Sequence, residues 1–154
     1  MHWRERRAAT RRPAGSTVPY FRPMITPLLG VHHIAIICAD YARSKAFYTE
    51  ALGLEIIREV HRAERDSYKL DLAVQGQYVI ELFSFPNPPA RPSRPEAQGL
   101  RHLAFAVADV DAAIRHLAAH QVVCEPVRVD EFTGRRFTFF SDPDGLPLEL
   151  YEEG

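Results

Sequence analysis

The sequence predicts an α+β protein of two βαβββ modules related by a pseudo-two-fold, forming a curved, cup-like mixed sheet with its helices outside. Three observations predict it. The segment His33-Ile34-Ala35-Ile36-Ile37-Cys38-Ala39-Asp40 recurs as His102-Leu103-Ala104-Phe105-Ala106-Val107-Ala108-Asp109, with the His, two Ala and the Asp identical and the apolar positions kept. A second match sets Ile80-Glu81-Leu82-Phe83 against Leu148-Glu149-Leu150-Tyr151 at nearly the same spacing. Between the two copies, residues 86–95 read Pro-Asn-Pro-Pro-Ala-Arg-Pro-Ser-Arg-Pro, which suits neither a helix nor an inner strand and makes a semi-extended strap.

Each copy opens on a strand. In the first, His33, Ala35 and Ile37 share one face while Ile34, Ile36 and Cys38 share the other; in the second, His102, Ala104 and Ala106 oppose Leu103, Phe105 and Val107. The bulky face asks for a covering helix, and the His/Ala face leaves room for something else. A helix follows each Asp, over 42–52 and ended by Gly53 in the first copy and over 111–120 in the second, with Asp40 and Asp109 as N-caps. Three further strands complete each copy. They are expected at 54–61, 68–74 and 78–85, with a Gln75-Gly76-Gln77 turn, and at 123–129, 136–140 and 146–151, with an Asp142-Pro143-Asp144-Gly145 turn.

A chain of 154 residues with 46% hydrophobic and 25% charged residues suits one domain, or two small halves sharing a core. The longest apolar runs are far too short to span a bilayer. Cys38 and Cys124 both sit in apolar stretches and read as small buried hydrophobes, in keeping with a reducing, cytoplasmic setting. The net charge of −1 hides an asymmetry, because residues 1–23 carry six arginines (Arg4, Arg6, Arg7, Arg11, Arg12, Arg22) against one acid, Glu5. Of 19 basic and 20 acidic residues in all, 13 basic and 19 acidic remain for the rest, a balance that speaks against a nucleic-acid surface there. Residues 1–29 are accordingly set apart as an Arg-rich arm. It fits a disordered tail, a start placed upstream of Met24, or, in a eukaryote, a mitochondrial presequence. Residues 30–154 form the domain, with modules at 30–86 and 99–153 and the proline-rich linker at 86–98.

The chemistry lies in the repeat. An ionised carboxylate amid a central strand is costly to bury unless it is paired or bound to metal, and Glu81 and Glu149 occupy equivalent positions. With His33 and His102 they supply four ligands, a mixed N/O set suited to one divalent ion (Ni, Co, Zn, Mn or Fe) and poorly suited to Ca²⁺. Four side chains leave two positions of an octahedron for water or substrate, which fits polarisation of adjacent oxygens and enediolate chemistry. Other residues carry less weight. By strand alternation His32 points to the opposite face from His33, His61, His116 and His120 have no repeat partner, Arg135 and Arg136 are candidates for an anionic substrate, and Lys69 and Asp71 are weaker pocket candidates.

These motifs, with Arg101-His102-Leu103-Ala104-Phe105 and Asp142-Pro143-Asp144-Gly145-Leu146-Pro147-Leu148-Glu149-Leu150, resemble the vicinal oxygen chelate (glyoxalase/bleomycin resistance/dioxygenase) superfamily, and within it the YaeR-type glyoxalase-like proteins of bacteria. The resemblance covers about residues 30–152. It implies the glyoxalase-like fold, metal ligation by His33, Glu81, His102 and Glu149, and Glu149 as the proton-transferring base. It also implies a homodimer. Where glyoxalase I members carry an arginine four residues after the first histidine, to hold a glutathione carboxylate, this chain has Ile37. The expected function is a metal-dependent lyase or isomerase acting on a small hydroxycarbonyl or thiohemiacetal-like substrate. The competing functions are a metal-free binding module of the same fold and an Fe-dependent extradiol dioxygenase. Glu149, close to the free C-terminus, is expected to move more freely than Glu81.

Overall fold

The strand patterns translate into βαβββ twice, in a computed structural model that describes residues 27–153. Residues 1–26 of the Arg-rich arm lie outside the described residues, and Val31–Gly154 form a unit of their own. The first copy contains β1 (Ile34–Cys38), α1 (Tyr41–Ala46) running into a π-helical turn (Phe47–Ala51), β2 (Glu55–Arg62), β3 (Ser67–Val74) and β4 (Gln77–Ser84). The second contains β5 (Leu103–Val107), α2 (Val110–Ala119), β6 (Arg128–Val129), β7 (Arg136–Ser141) and β8 (Pro147–Glu152). Each copy makes its own four-stranded sheet, in the orders β1-β4-β3-β2 and β5-β8-β7-β6. The first strand runs parallel to the last in both, and the remaining pairs are antiparallel. Register repeats as well: Ala35 lies opposite Glu81, and Ala104 opposite Glu149.

Both helices start as their sequences ask. The Asp40 carboxylate accepts from the Arg43 backbone N–H at 3.0 Å and that of Asp109 from Ala112 at 2.9 Å, caps worth about 1 kcal/mol each. The helix expected over 42–52 differs in its second half. There the Leu52 N–H reaches back five residues to the Phe47 carbonyl at 3.0 Å, while the Thr49 hydroxyl donates to the Lys45 carbonyl at 2.8 Å. A β-branched hydroxyl that engages the preceding turn favours such a bulge. The strand expected over 123–129 shrinks to Arg128–Val129, since Pro126 has no N–H for a ladder. Two bonds still tie its start to β7, from the Glu125 N–H to the Phe139 carbonyl and from the Thr138 hydroxyl to the Glu125 carbonyl, both at 2.7 Å. On β2, an edge strand, a register shift between Ile56 and Arg58 brings Arg58 opposite Asp71.

The expected two-module fold is present as two four-stranded half-sheets, with no strand pair between them among the described residues. The reason lies in what joins the halves. Bulky faces of both sheets feed one shared core that includes Ile36, Tyr48, Leu70, Leu82, Val110, Leu117, Phe140 and Leu148, so the helices meet at the junction between the modules. There the fully buried Tyr48 donates its hydroxyl to Asp142 at 2.9 Å, and His116 Nε2 donates to the Ala51 carbonyl at 3.1 Å. The Asp142–Gly145 turn also grips the other module, because Asp144 accepts from the Ala39 N–H at 3.2 Å and the Ser44 hydroxyl at 3.3 Å. On the opposite faces, Ala35, Ala104 and Ala106 are exposed and Ile37 is 54% exposed.

Candidate metal site

On the first sheet, His33 just precedes β1 and Glu81 lies mid-β4, with Nε2 and Oε2 3.1 Å apart. On the second, His102 precedes β5 and Glu149 lies mid-β8, and the corresponding separation is 2.9 Å. All four predicted residues thus find a partner from the expected pair of strands. Each sheet holds one pair, and among the described residues no three His, Cys, Asp or Glu side chains come together as a metal-holding group. Each pair is a fitting edge of a coordination sphere. Two ligands about 2.1 Å from one metal and at right angles lie about 3.0 Å apart. Imidazole and carboxylate are also the donors that such an ion prefers.

The surroundings of the pairs differ sharply. His33 stacks on Tyr78 with ring centroids 5.1 Å apart, and its Nδ1 shares a 2.8 Å hydrogen bond with Nδ1 of His32. Strand alternation misplaced His32, because both histidines precede the first residue of β1 and escape its pleat. The contact matters, since a proton held at Nδ1 leaves the Nε2 lone pair of His33 free to ligate. Glu81 is held on its other oxygen by the Lys69 ammonium at 2.5 Å. Lys69 also pairs with Asp71, which is 2% exposed and accepts from Arg58 Nε and Nη2 at 2.9 and 2.7 Å and from the Tyr78 hydroxyl at 3.1 Å. The hydrogen bond from Lys69 holds Glu81 below the ordinary carboxylate range. For Asp71, burial acts to raise the pKa, but the bonds from Lys69, Arg58 and Tyr78 outweigh it and lower it.

On the second sheet aromatic rings replace this network. Phe139 occupies the position opposite Glu149 that Asp71 occupies opposite Glu81. Its ring meets that of His102 edge-on at 5.1 Å, and the Arg128 guanidinium lies 5.1 Å from the centroids of both Phe137 and Phe139. His102 Nδ1 is buried and has no hydrogen-bond partner among the described residues. Glu149, 8% exposed, lies on β8 between β5 and β7, so nearness to the C-terminus gives it no slack. What distinguishes it is the lack of a lysine like Lys69 at the register position two residues along from Phe139, which Phe137 fills.

The lesser candidates fall elsewhere. Arg136 forms a two-pronged pair with Asp111 at 3.0 Å per arm, His61 lies 3.9 Å from Asp66, and His120 Nδ1 donates to the His116 carbonyl at 3.0 Å. The Arg135 N–H donates to the Thr133 hydroxyl at 3.3 Å. Cys38 and Cys124 are free thiols, and burial pushes that of Cys38 up to about 11, which suppresses the reactive thiolate. A groove of about 580 Å³, lined by Arg43, Phe47, His120 and Phe140 among others, includes none of the four predicted ligands. A smaller pocket of about 240 Å³ has His102 and Phe139 in its wall. No helix among the described residues is long and apolar enough to cross a membrane.

With this geometry in hand, comparison with known proteins gives a consistent result. The family model for the Glyoxalase/Bleomycin resistance protein/Dioxygenase superfamily matches residues 30–150. The chain is 69% identical over 123 residues to YaeR of Escherichia coli (strain K12), covering 80% of this chain and 95% of that protein. It is 32% identical over 143 residues to a 2-epi-5-epi-valiolone epimerase of Actinomyces sp, covering 79% and 78%. Among solved structures, the glyoxalase family protein from Enterococcus faecalis superposes with a TM-score of 0.74 at 51% identity, covering 80% of this chain and 98% of that one.

Proposed function

We propose, from the premise that this chain belongs to the glyoxalase/bleomycin resistance protein/dioxygenase superfamily, that it is a metal-dependent lyase or isomerase of small hydroxycarbonyl or thiohemiacetal-like substrates. The observation that carries the reading is the pair of equivalent His/Glu edges, His33 with Glu81 and His102 with Glu149, each spaced as two neighbouring ligands of one ion. Within a chain the two edges belong to different sheets. A homodimer in which the open face of β1 and β4 from one copy meets that of β5 and β8 from the other unites them, and each dimer then has two complete sites. The exposed Ala35, Ile37, Ala104 and Ala106 on these faces favour such an association.

Bound there, a divalent ion such as Ni, Co, Zn, Mn or Fe would supply Lewis acidity toward substrate oxygens. The remaining work belongs to the chain. Donation from His33 Nδ1–H to Nδ1 of His32 would leave the His33 Nε2 lone pair for the metal, and Lys69 and Asp71 hold Glu81 in place as a permanent ligand. Among the described residues Glu149 has only His102 as an ionic partner, which makes it the carboxylate suited to move a proton. Phe137 and Phe139 line the same side of the second sheet and exclude water from it. The chain's 32% identity to an epimerase supports proton-transfer chemistry of this kind.

The test is metal analysis of the purified protein, followed by stripping, reloading with single ions and assay against a panel of hydroxycarbonyl and thiohemiacetal substrates. Metal near one per chain with turnover of a panel member is the expected result. Full occupancy without turnover across the panel overturns the reaction class; no bound metal and no gain in melting temperature on adding any overturns the metal site itself.

A further inference from the structure

The proline strap does more than join the modules. Its Ser93 hydroxyl donates to the Gly145 carbonyl at 2.7 Å, which lays it across the turn before β8, and Arg91 Nη2 donates to the Leu100 carbonyl at 3.1 Å, which draws the two ends of the strap together. Beneath it lies the pocket of about 240 Å³. Four arginines line that pocket, from three separate stretches of chain: Arg91 and Arg94 from the strap, Arg101 from its end, and Arg128 from β6.

The charges there do not cancel. Among the described residues only two carboxylates, Glu96 and Glu125, share the lining with the four guanidinium groups, which leaves two positive charges in excess. Two of the three ion pairs are at the limit of contact, Arg94 with Glu125 at 3.9 Å and Arg101 with Glu96 at 4.0 Å; only Arg128 with Glu125 is close, at 3.0 Å. Arg94 and Arg101 have side chains 83% and 74% exposed, so neither is locked into a structural role. Two of the three buried side-chain nitrogens without a hydrogen-bond partner among the described residues, Arg91 Nε and His102 Nδ1, belong to this same lining. Guanidinium forks match the spacing of oxyanion oxygens, and several of them beside a donor-rich, partly enclosed surface make an anion site.

We infer that the strap pocket binds a compact dianionic oxyanion group, of the phosphate or phosphonate type, carried by the substrate. The inference rests on the reading of His102 and Glu149 as part of the reaction site, because His102 stands in the pocket wall and joins the two. A pocket of this size lies below the roughly 300–1,000 Å³ of sites for drug-sized ligands, so it fits a charged head group with a few carbons and not a tripeptide. The anionic head is held by Arg94, Arg101 and Arg128, and the reacting carbons extend past His102 toward Glu149. Two excess charges favour a dianion over a monocarboxylate.

The experiment measures binding of inorganic phosphate to the full-length, metal-stripped protein by calorimetry at fixed ionic strength, with acetate and chloride as comparison anions. The pocket is lined by the strap and the second module of a single chain, so its lining depends on neither the proposed metal nor a second copy. Phosphate is expected to bind saturably and at least tenfold more tightly than acetate. Arg101→Gln and Arg94→Gln should each weaken phosphate about tenfold, Arg101→Lys should weaken it less, and Arg115→Gln, outside the pocket, should leave it unchanged. Circular dichroism checks that each variant is folded. Equal affinity for phosphate and acetate, or phosphate binding indifferent to the two Gln substitutions, overturns the inference. Phosphate binding in a protein that holds no metal would leave the pocket standing while the metal reading fails; metal binding and turnover without phosphate binding would do the reverse.

Discussion

Glu81 and Glu149 occupy matching places in the two copies, yet their neighbours differ, and on the proposed reading so do their tasks. Glu81 has Lys69 at 2.5 Å, backed by Asp71, whereas Glu149 faces Phe139 across its ladder. Glu81→Gln should therefore weaken metal binding tenfold or more in competition with a chromophoric chelator, while Glu149→Gln should keep most of the affinity and lose turnover. Parallel loss of both properties in the two variants would mean that both act only as ligands. Asp71 itself accepts hydrogen bonds from three side chains while 2% exposed. Its replacement by Ala should cost about 1–3 kcal/mol in urea unfolding, because its partners Arg58 and Lys69 can still reach water. The four candidate ligands were legible in the sequence because the repeat marks them twice. His32, Tyr78 and Arg58 were not legible: the first lies just outside β1 and so does not follow its alternation, Tyr78 has no counterpart of its kind in the second copy, and Arg58 depends on a bulge that sequence pattern does not reveal.

At the level of elements, the caps, the parallel pairing of first and last strands and the hairpin turns all follow from local sequence, but the junction does not. The Asp-Pro-Asp-Gly segment reads as a turn and proves also to be a clasp, with Asp142 buried against Tyr48 and Asp144 bound to Ala39 and Ser44. Tyr48→Phe removes the hydroxyl donated to Asp142 and should cost about 1–3 kcal/mol at neutral pH. Burial already raises the Asp142 pKa, and loss of the tyrosine bond raises it further. A raised carboxyl pKa gives stability that is complete below the unfolded value and is lost as pH rises through the folded one, so the deficit of Tyr48→Phe should shrink on acidification. Asp111 has the opposite sign, since the hydrogen bonds from Arg136 on β7 hold its pKa down. Its contribution is present above the unfolded value of about 4 and is lost as pH falls through the folded one. Melting temperature followed from pH 7 to pH 3 should accordingly fall less steeply at the acid end in Arg136→Gln than in the parent protein.

For the whole molecule, the expected two-module fold is present as two four-stranded half-sheets, and the four candidate ligands stand as one His/Glu pair on each. A periodic pattern tells which face of a strand is apolar but not which copy of the chain will cover it, and here the helix-side core joins the modules in a way that leaves the His/Glu faces apart. The central claim is that each metal site takes one edge from each of two copies. The direct measurement uses two variants, one with His33→Ala and Glu81→Ala and the other with His102→Ala and Glu149→Ala, carrying different affinity tags, co-expressed and purified as the doubly tagged heterodimer. Neither variant alone should hold metal at the site. The heterodimer should recover one metal ion where the parent dimer holds two, since one of its two sites then combines the intact edge of each chain. A verified heterodimer that binds no metal, beside a parent protein that does, would contradict the claim and place all four ligands within a single chain.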